Sequence, residues 1–208
     1  ATDTKKEVSC SSGNKDENFK DGYEFLEDKK RVYLVMTSLQ KVYELPDGTP
    51  IRCISTVTTE KDGEKHELLE TVDYKNNTSG NWGKFSQMYK FIGESGSFNK
   101  MQLIEENGAP SGEYLFLYAS RDCGVVKVNK FETHLSDDDP ENESGAEART
   151  GGDENAERPD CMMWAREGND RALQVSCEPY FTQCCKSKNT EYSYTPETCH
   201  IPQERMEL

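Results

Sequence analysis

The chain has 208 residues, a length that suits one sizeable domain or one domain with extensions. Hydrophobic residues make up 33% and charged residues 31%, with a formal net charge of −14, so the chain should repel nucleic acid backbones and anionic membranes. It has no apolar run long enough to span a bilayer and no hydrophobic C-terminal tail typical of a lipid anchor, so we expect neither a nucleic acid nor a membrane among its partners.

A short helix is the first predicted element. Within residues 16–30, the residues Phe19, Tyr23 and Leu26 recur at roughly helical spacing. Residues 1–15 before it are polar apart from Cys10. The predicted helix therefore precedes the first strand directly.

Eight short runs rich in β-branched and aromatic residues predict strands, separated by turn signals. Asp62-Gly63 between the second and third runs is typical of a hairpin, and Arg121-Asp122 alone joins the sixth run to the seventh. Regular strands linked in this way predict a mainly β, antiparallel sandwich or barrel, and a closed eight-stranded barrel has room for one small ligand. The predicted strands are residues 31–38, 51–60, 66–75, 83–92, 98–106, 112–120, 123–131 and 161–167.

Residues 136–160 differ sharply from the predicted strands around them. They contain no aromatic and no large aliphatic residue, and they carry a strong acidic excess. Such a segment cannot bury enough apolar surface to become ordered. We predict a disordered acidic loop inserted before the eighth strand, and a solvated loop is the simpler interpretation than a partner-binding segment.

Residues 178–190 are predicted to form a helix after the eighth strand. Pro179 would lie in its first turn, where a missing N–H costs little. Cys184 and Cys185 would point about 100° apart on this helix, so they should join it to two different places.

The cysteine pattern predicts disulfide bonds. The number is even and no close C-x-x-C pair occurs, and disulfides indicate an oxidising compartment. His66, His134 and His200 are not spaced to complete a zinc site, and an even set of cysteines favours pairing over a catalytic thiol. The cysteines are Cys10, Cys53, Cys123, Cys161, Cys177, Cys184, Cys185 and Cys199.

Two further features agree with secretion. The chain starts at Ala1 rather than at Met, as a mature protein does after removal of a signal peptide. Glycosylation sequons occur at Asn76, Asn77 and Asn142. We therefore expect a secreted, extracellular glycoprotein that is a monomer.

Catalytic motifs are not found in the sequence. It has no G-x-S-x-G elbow, no H-E-x-x-H and no Gly-rich phosphate loop. Acidic pairs such as Glu105-Glu106 carry little weight as glycosidase carboxylates in a chain with 39 acidic residues. We predict that the protein is not an enzyme and that it uses neither a cofactor nor a metal ion.

Strand alternation predicts which side chains face the interior of a barrel, although most of them are expected simply to fill a core. Glu70 and Gln87 lie on plausible inward faces of the third and fourth strands. A carboxylate among aromatic rings is a natural receptor for a protonated amine. The inward candidates on strands six to eight are Tyr114, Phe116, Tyr118, Val126, Val128, Met162 and Trp164.

Several motifs resemble a known family in their order and spacing. The helical turn Tyr23–Asp28 runs into Val32-Tyr33-Leu34, Cys53 lies on the second strand, Asn76-Asn77 follows the third, Tyr118–Cys123 joins the sixth strand to the seventh, and Met163-Trp164 lies on the last strand. Over about residues 18–200, apart from the acidic insertion, the chain resembles the tick salivary lipocalins, which include the histamine-binding proteins.

The resemblance implies one lipocalin domain over residues 1–208. It would be an eight-stranded antiparallel barrel with a short N-terminal helix and a C-terminal helix packed on the barrel. The bonds Cys53–Cys199 and Cys123–Cys177 look family-like. Cys10 and Cys161 would then pair with Cys184 and Cys185 in an order that stays open.

The resemblance also implies a function in saliva. The family sequesters host mediators such as histamine, serotonin or fatty-acid-derived molecules and so suppresses inflammation and haemostasis at the bite site. Asp28 matches an acidic position of one amine site, Glu44 falls near a second, and Tyr33 stands where the family has an aromatic residue. Acids that histamine binders carry are replaced here, which favours a single amine site, a larger aromatic amine or a more apolar ligand. The replacing residues are Gly124, Met162, Tyr114 and Gln87.

Three hypotheses follow, in order of preference. The first is an amine-scavenging lipocalin, which should bring at least two buried carboxylates into one cavity. The second is a carrier of a lipid mediator or sterol, which should have a deep apolar cavity, and the third is a protein-binding inhibitor of host defence. For the amine site the candidate carboxylates are Asp28, Glu44, Glu70 and Glu105, and the candidate walls are Tyr114, Phe116 and Trp164.

Overall fold

Eight antiparallel strands close into a barrel, in which each strand pairs with its sequence neighbours and the last pairs with the first. The mainly β, eight-stranded antiparallel barrel expected from the sequence is therefore confirmed. The computed structural model describes residues 7–12, 19–104, 110–132, 158–166, 176–187, 194 and 197–205.

All eight predicted strands are present, and their bounds shift by a few residues at most. The strands are β1 (Arg31–Thr37), β2 (Ile51–Asp62), β3 (Glu67–Asn76), β4 (Trp82–Glu94), β5 (Ser97–Leu103), β6 (Ser111–Ala119), β7 (Cys123–Glu132) and β8 (Asp160–Arg166). The helices are α1 (Gly22–Phe25) and α2 (Glu178–Cys184), with 3-10 helices at Lys41–Tyr43 and Gln203–Arg205. In the described part of the chain, we find no helix with the length and apolar character needed to cross a membrane.

Helix α1 packs across one end of the barrel. Asp21 caps it by accepting a hydrogen bond from the Glu24 N–H at 2.8 Å, a role that favours Asp at this position. Its other carboxylate oxygen accepts from the Phe98 N–H on β5 at 2.9 Å. Phe25 is fully buried against Phe116 of β6, with ring centroids 5.9 Å apart. The helix thus closes the barrel at this end.

Two cations hold the C-terminal end of α1 in place. Lys61 Nζ donates to the carbonyl oxygens of Tyr23 at 2.6 Å and Leu26 at 2.7 Å. Arg166 donates to the carbonyl oxygen of Phe25 at 2.6 Å. Unpaired carbonyls and the helix dipole both favour positive charge at this end of a helix.

Gly22 is predicted to be intolerant of a side chain, because a Cβ there would lie 2.3 Å from Cδ2 of Phe116. Gly22→Ala should lower the free energy of unfolding by about 1–3 kcal/mol, the usual cost of overpacking. Urea denaturation would measure this loss. Gly63→Ala is the matched control, since a Cβ there meets no atom within 4 Å, and its effect should stay within about 0.5 kcal/mol. Equal effects of the two substitutions would contradict the predicted clash.

The cysteines form four disulfide bonds. Cys53–Cys199 and Cys123–Cys177 match the bonds that the resemblance implied. The other two bonds, whose pairing the resemblance left open, are Cys10–Cys184 and Cys161–Cys185. Cys184 and Cys185 thus join two different parts of the chain, as expected.

The predicted extent of the C-terminal helix is wrong. Helix α2 ends at Cys184, and Cys185 has extended backbone with φ −120° and ψ 162°. The chain leaves the helix there so that the Lys186 N–H reaches the carbonyl oxygen of Pro159 at 3.0 Å. Residues 188–190 of that prediction lie outside the described residues.

Helix α2 packs on the outer face of the barrel. Tyr180 stacks on Tyr118 of β6, with ring centroids 4.0 Å apart and planes at 12°. The prediction that Tyr118 faces inward is therefore wrong. The pairing register of β6 with β7 shifts between Phe116 and Tyr118, and this bulge turns Tyr118 to the outside.

Most of the predicted acidic insertion, residues 136–157, lies outside the described residues. Its last three residues are described, and Asp160 already belongs to β8. The Asp160 carboxylate accepts hydrogen bonds from Ser38 Oγ at 2.9 Å and Lys186 Nζ at 3.1 Å. The end of that segment is thus held against β1 and the chain after α2.

Candidate functional site

A cavity occupies the barrel interior between α1 and the opposite end. Its empty space is about 830 Å³, counted up to and including its open mouth. Inward and outward side chains alternate along every strand. The inward ones that form the wall are mostly apolar. They include Leu34, Ile54, Val72, Phe85, Val126 and Phe131.

Glu70 is a buried carboxylate in this wall, with 3% of its surface exposed. It lies on β3 opposite Thr58 of β2. Thr56 Oγ1 donates to one carboxylate oxygen at 2.5 Å, and the Thr58 hydroxyl donates to the other. Both threonines point inward because they are two residues apart on β2. They hold the carboxylate in a defined orientation.

Burial raises the pKa of Glu70 to about 7, against the hydrogen bonds from Thr56 and Thr58 and the positive charge of Lys61, which lower it. Desolvation is the dominant cause, because a carboxylate in an apolar cavity loses its hydration. Lys61 is itself held by carbonyl oxygens of α1. Glu70 therefore exchanges between a neutral and a negatively charged form near neutral pH.

Gln87 and Tyr89 of β4 and Tyr114 of β6 form a second set of polar side chains in the cavity wall. Gln87 of β4 pairs directly with Glu70 of β3. Its Nε2 donates to the carbonyl oxygen of Pro110 at 2.6 Å, and its Oε1 accepts from the Tyr89 hydroxyl at 2.5 Å. Tyr114 of β6 packs edge-on against Tyr89 with ring centroids 5.9 Å apart. Burial raises the pKa of Tyr114 to about 12, against a lowering hydrogen bond from Tyr89, so both phenols stay neutral at physiological pH.

The structure brings six of the predicted site residues together in the cavity wall. They lie on β3, β4, β6 and β8, and every one of them occupies an inward position of its strand. These residues are Glu70, Gln87, Tyr114, Phe116, Met162 and Trp164.

Three other predicted site residues do not line the cavity. Asp28 is exposed beside the end of α1, and Glu44 is exposed in the connection before β2. Tyr33 follows the alternation of β1, where Leu34 faces inward, so it points outward and its ring packs on Tyr194 at 4.5 Å. The expectation that these residues share one cavity with Glu70 is therefore corrected.

Two predicted residues, Glu105 and Asn142, lie outside the described residues. The sequon residues Asn76 and Asn77 are half-buried in the hairpin between β3 and β4. Asn76 Oδ1 accepts hydrogen bonds from the N–H groups of Thr78 at 2.9 Å and Ser79 at 3.0 Å.

Sequence reasoning missed Thr56, Thr58 and Tyr89. A signal for Tyr89 was present, because it lies two residues after Gln87 and so shares its face of β4. To predict the role of the threonines, the register of β2 against β3 would have to be known. The Asp62-Gly63 hairpin signal gives that register only approximately. Among the described lining residues Glu70 is the one carboxylate, so the described wall does not meet the two-carboxylate expectation for an amine binder.

Comparisons with known proteins give the following matches. The family model described as tick histamine binding protein matches residues 11–135, which is more than half of the chain. No curated protein sequence matches this chain. One similar solved structure is japanin from Rhipicephalus appendiculatus bound to cholesterol, with 12% identity, a TM-score of 0.47 and coverage of 81% of this chain and 95% of that one. Another is the tryptamine complex of the amine binding protein of Rhodnius prolixus, with 11% identity, a TM-score of 0.46 and coverage of 97% of this chain and 93% of that one.

Proposed function

The chain belongs to the tick histamine-binding protein family, and from this premise we propose that it binds one biogenic amine, histamine or serotonin, in the barrel cavity. The observation that carries the proposal is Glu70, a carboxylate that is 3% exposed and lines the cavity. A buried carboxylate that gains a cationic partner recovers much of the energy that it lost on desolvation.

The surroundings of Glu70 suit an aromatic ammonium ion. Tyr89, Tyr114 and Phe116 line the same cavity, and their ring faces attract a cation electrostatically. Thr56 and Thr58 already donate to the carboxylate, so its orientation needs no rearrangement when a ligand arrives. Such preorganisation lowers the cost of binding.

In the organism, the proposed role is sequestration. We propose that the protein is secreted into saliva and lowers the free amine concentration at the bite, which suppresses inflammation and haemostasis. The four disulfide bonds support an oxidising, extracellular destination. Glycosylation of Asn76 or Asn77 stays a prediction.

A lipid carrier is the second candidate function. The observation that favours it is the largely apolar wall around Glu70, from Leu34 and Ile54 to Phe85 and Phe131. A fatty-acid-derived mediator or a sterol would bury its apolar body there. The carboxylate would then be neutral, in line with a pKa of about 7.

Calorimetric titration with histamine, serotonin and a leukotriene, side by side at pH 8, tests the proposal. We expect at least one amine to bind with a micromolar or lower Kd. If neither amine binds at micromolar concentrations, the amine proposal fails, and binding of the leukotriene alone would replace it with the lipid carrier.

The affinity for serotonin is predicted to rise with pH. The carboxylate of Glu70, with a pKa of about 7, is about 3% ionised at pH 5.5 and about 90% ionised at pH 8, whereas the alkylammonium stays charged. The Kd should therefore fall about 30-fold across this range, and binding near neutral pH should release a proton. Titrations at both pH values, repeated in buffers of different ionisation enthalpy, would measure both effects. An affinity that is constant with pH would show that Glu70 does not receive the ammonium.

A further inference from the structure

Strand β2 contains a bulge shortly before the threonines that donate to Glu70. Arg52 of β2 pairs with Lys75 of β3, and the next pair is Ser55 with Asp73. Strand β2 thus advances three residues while β3 advances two. The extra residue on one strand of an antiparallel pair makes a β-bulge.

The bulge changes which side chains of β2 face the cavity. Ile51 before it and Ile54 after it both line the cavity, although they are three residues apart. Strict alternation from Ile51 would turn the even-numbered residues outward, and Thr56 and Thr58 with them. The bulge therefore brings the two threonine hydroxyls to the carboxylate of Glu70, to which both donate.

An ion pair on the outer face of the barrel fits the same register. Ser55 and Asp73 each adjoin a residue that lines the cavity, so both point outward. Arg31 of β1 donates to the Ser55 hydroxyl at 3.0 Å and to the Asp73 carboxylate at 2.8 Å. The side chains of Arg31 and Asp73 are 8% and 4% exposed. The register that turns the threonines inward thus also places Ser55 and Asp73 beside a buried cation.

Cys53 gives the bulge a backbone conformation that is unfavourable for a residue with a side chain. Its φ is 56°, in the left-handed region that favours glycine. Glycine is the usual first residue of a bulge that begins with this conformation. A disfavoured conformation persists only where the surrounding structure enforces it.

The disulfide bond to Cys199 is such a constraint. Both of its cysteines are buried, and Ile201 is buried two residues further along the chain. A disulfide requires its two Cβ atoms to lie close together and in a limited range of directions. It therefore restricts the direction of the Cβ of Cys53 and, with it, the backbone that carries this atom.

We propose that Cys53 is a positioning residue for the bound ligand. Its bond to Cys199 holds the bulge, and the bulge turns the two threonine hydroxyls towards Glu70. This inference rests on the proposed amine function. It adds that a disulfide bond contributes to the affinity for the ligand as well as to stability. Without the two hydrogen bonds, the carboxylate would lose its orientation and would be harder to ionise, and its pairing with an ammonium would weaken.

Three variants without this bond test the inference, since they differ only in the residue at position 53. They are Cys53→Gly, Cys53→Ala and Cys53→Val, each combined with Cys199→Ser. Glycine adopts a positive φ readily, alanine is disfavoured there, and β-branched valine is disfavoured most strongly. The double substitution Cys161→Ser with Cys185→Ser is the control, because it removes a disulfide bond but leaves β2 unchanged.

The Kd of serotonin is measured by calorimetry at pH 8. In the Cys53→Gly variant and in the control it should stay within about threefold of the Kd of the unmodified protein. In the Cys53→Val variant it should be at least about tenfold higher, because hydrogen bonds to a charged group are lost. The Cys53→Ala variant should lie between the two. Equal Kd values in the three variants would overturn the inference while the amine function stands.

The pKa of Glu70 without ligand, followed by NMR of the carboxyl carbon, is a second readout. The hydrogen bonds from Thr56 and Thr58 lower this pKa, so it should be higher in the Cys53→Val variant than in the Cys53→Gly variant. Equal pKa values would overturn the inference. If the unmodified protein binds no amine, the amine function fails, and the pKa values alone decide whether Cys53 positions the threonines. Where Cys53→Val does not fold, Cys53→Ala takes its place in both comparisons.

Discussion

Glu70→Gln is expected to weaken the binding of serotonin at pH 8 by about 100-fold. The substitution keeps the shape of the side chain but removes the negative charge that we propose to face the ammonium. Loss of one partner of a buried charge pair costs about 2–5 kcal/mol. A 100-fold change in Kd, about 2.7 kcal/mol, lies in the lower part of that range. Calorimetric titration at pH 8 measures the change, and the remaining affinity should no longer depend on pH between 5.5 and 8.

The same substitution is expected to stabilise the protein without ligand. Glu70 has a pKa of about 7 when folded and about 4.5 when unfolded, so the folded state holds the proton more tightly. The stability contributed by this group is therefore complete below pH 4.5 and is lost as the pH rises to about 7. At pH 8, Glu70→Gln should raise the free energy of unfolding by about 1–3 kcal/mol, and at pH 4.5 it should have little effect.

Glu44→Gln is the matched control, because it is the same chemical change at an exposed position outside the cavity. It should alter neither the affinity for serotonin nor the stability by a measurable amount. Urea denaturation of both variants at the two pH values separates a lost charge from a damaged fold. If Glu70→Gln binds serotonin as tightly as the unmodified protein at pH 8, the proposed role of Glu70 is wrong.

Removal of the Cys53–Cys199 bond is expected to lower the stability strongly. The bond joins residues 146 positions apart and fastens the C-terminal residues to β2, where Cys199 and Ile201 are buried. Cross-linking across so long a loop restricts the unfolded chain, and its loss typically costs about 3–5 kcal/mol. The double substitution Cys53→Ser with Cys199→Ser should show this loss in urea denaturation.

The comparison variant removes Cys161–Cys185, whose residues are 24 positions apart. Since the entropy of loop closure grows slowly with loop length, its loss should cost about 1.6 kcal/mol less. A loss of less than about 0.5 kcal/mol for the Cys53–Cys199 pair would contradict the prediction. It would mean that packing alone holds the C-terminal residues on the barrel.

Local patterns in the sequence were sufficient to predict the barrel. Alternation of apolar and polar residues is a property of each strand by itself, so the eight strands could be predicted one by one. Alternation also made inward faces plausible for Glu70 and Gln87, which both line the cavity. It failed at Tyr118, because the bulge after Phe116 depends on how β6 pairs with β7.

The family resemblance was informative about some positions and misleading about others. It implied Cys53–Cys199 and Cys123–Cys177, both of which the structure has. It also pointed to Asp28 and Glu44 as amine ligands, but both are exposed outside the cavity. A sequence match at a loop position does not show where the side chain points, because that direction depends on how the loop packs.

The sequence by itself determined the strands, the helix at each end and the oxidised state of the cysteines, and it indicated an inward face for Glu70 that the structure confirmed. The tertiary structure decided which cysteine joins Cys184 and which joins Cys185, that Thr56 and Thr58 donate to Glu70, and that the Gln87 amide is held between Pro110 and Tyr89. The physical reason is that periodicity is local to a strand, whereas register, burial and hydrogen-bond direction arise only between strands far apart in the chain.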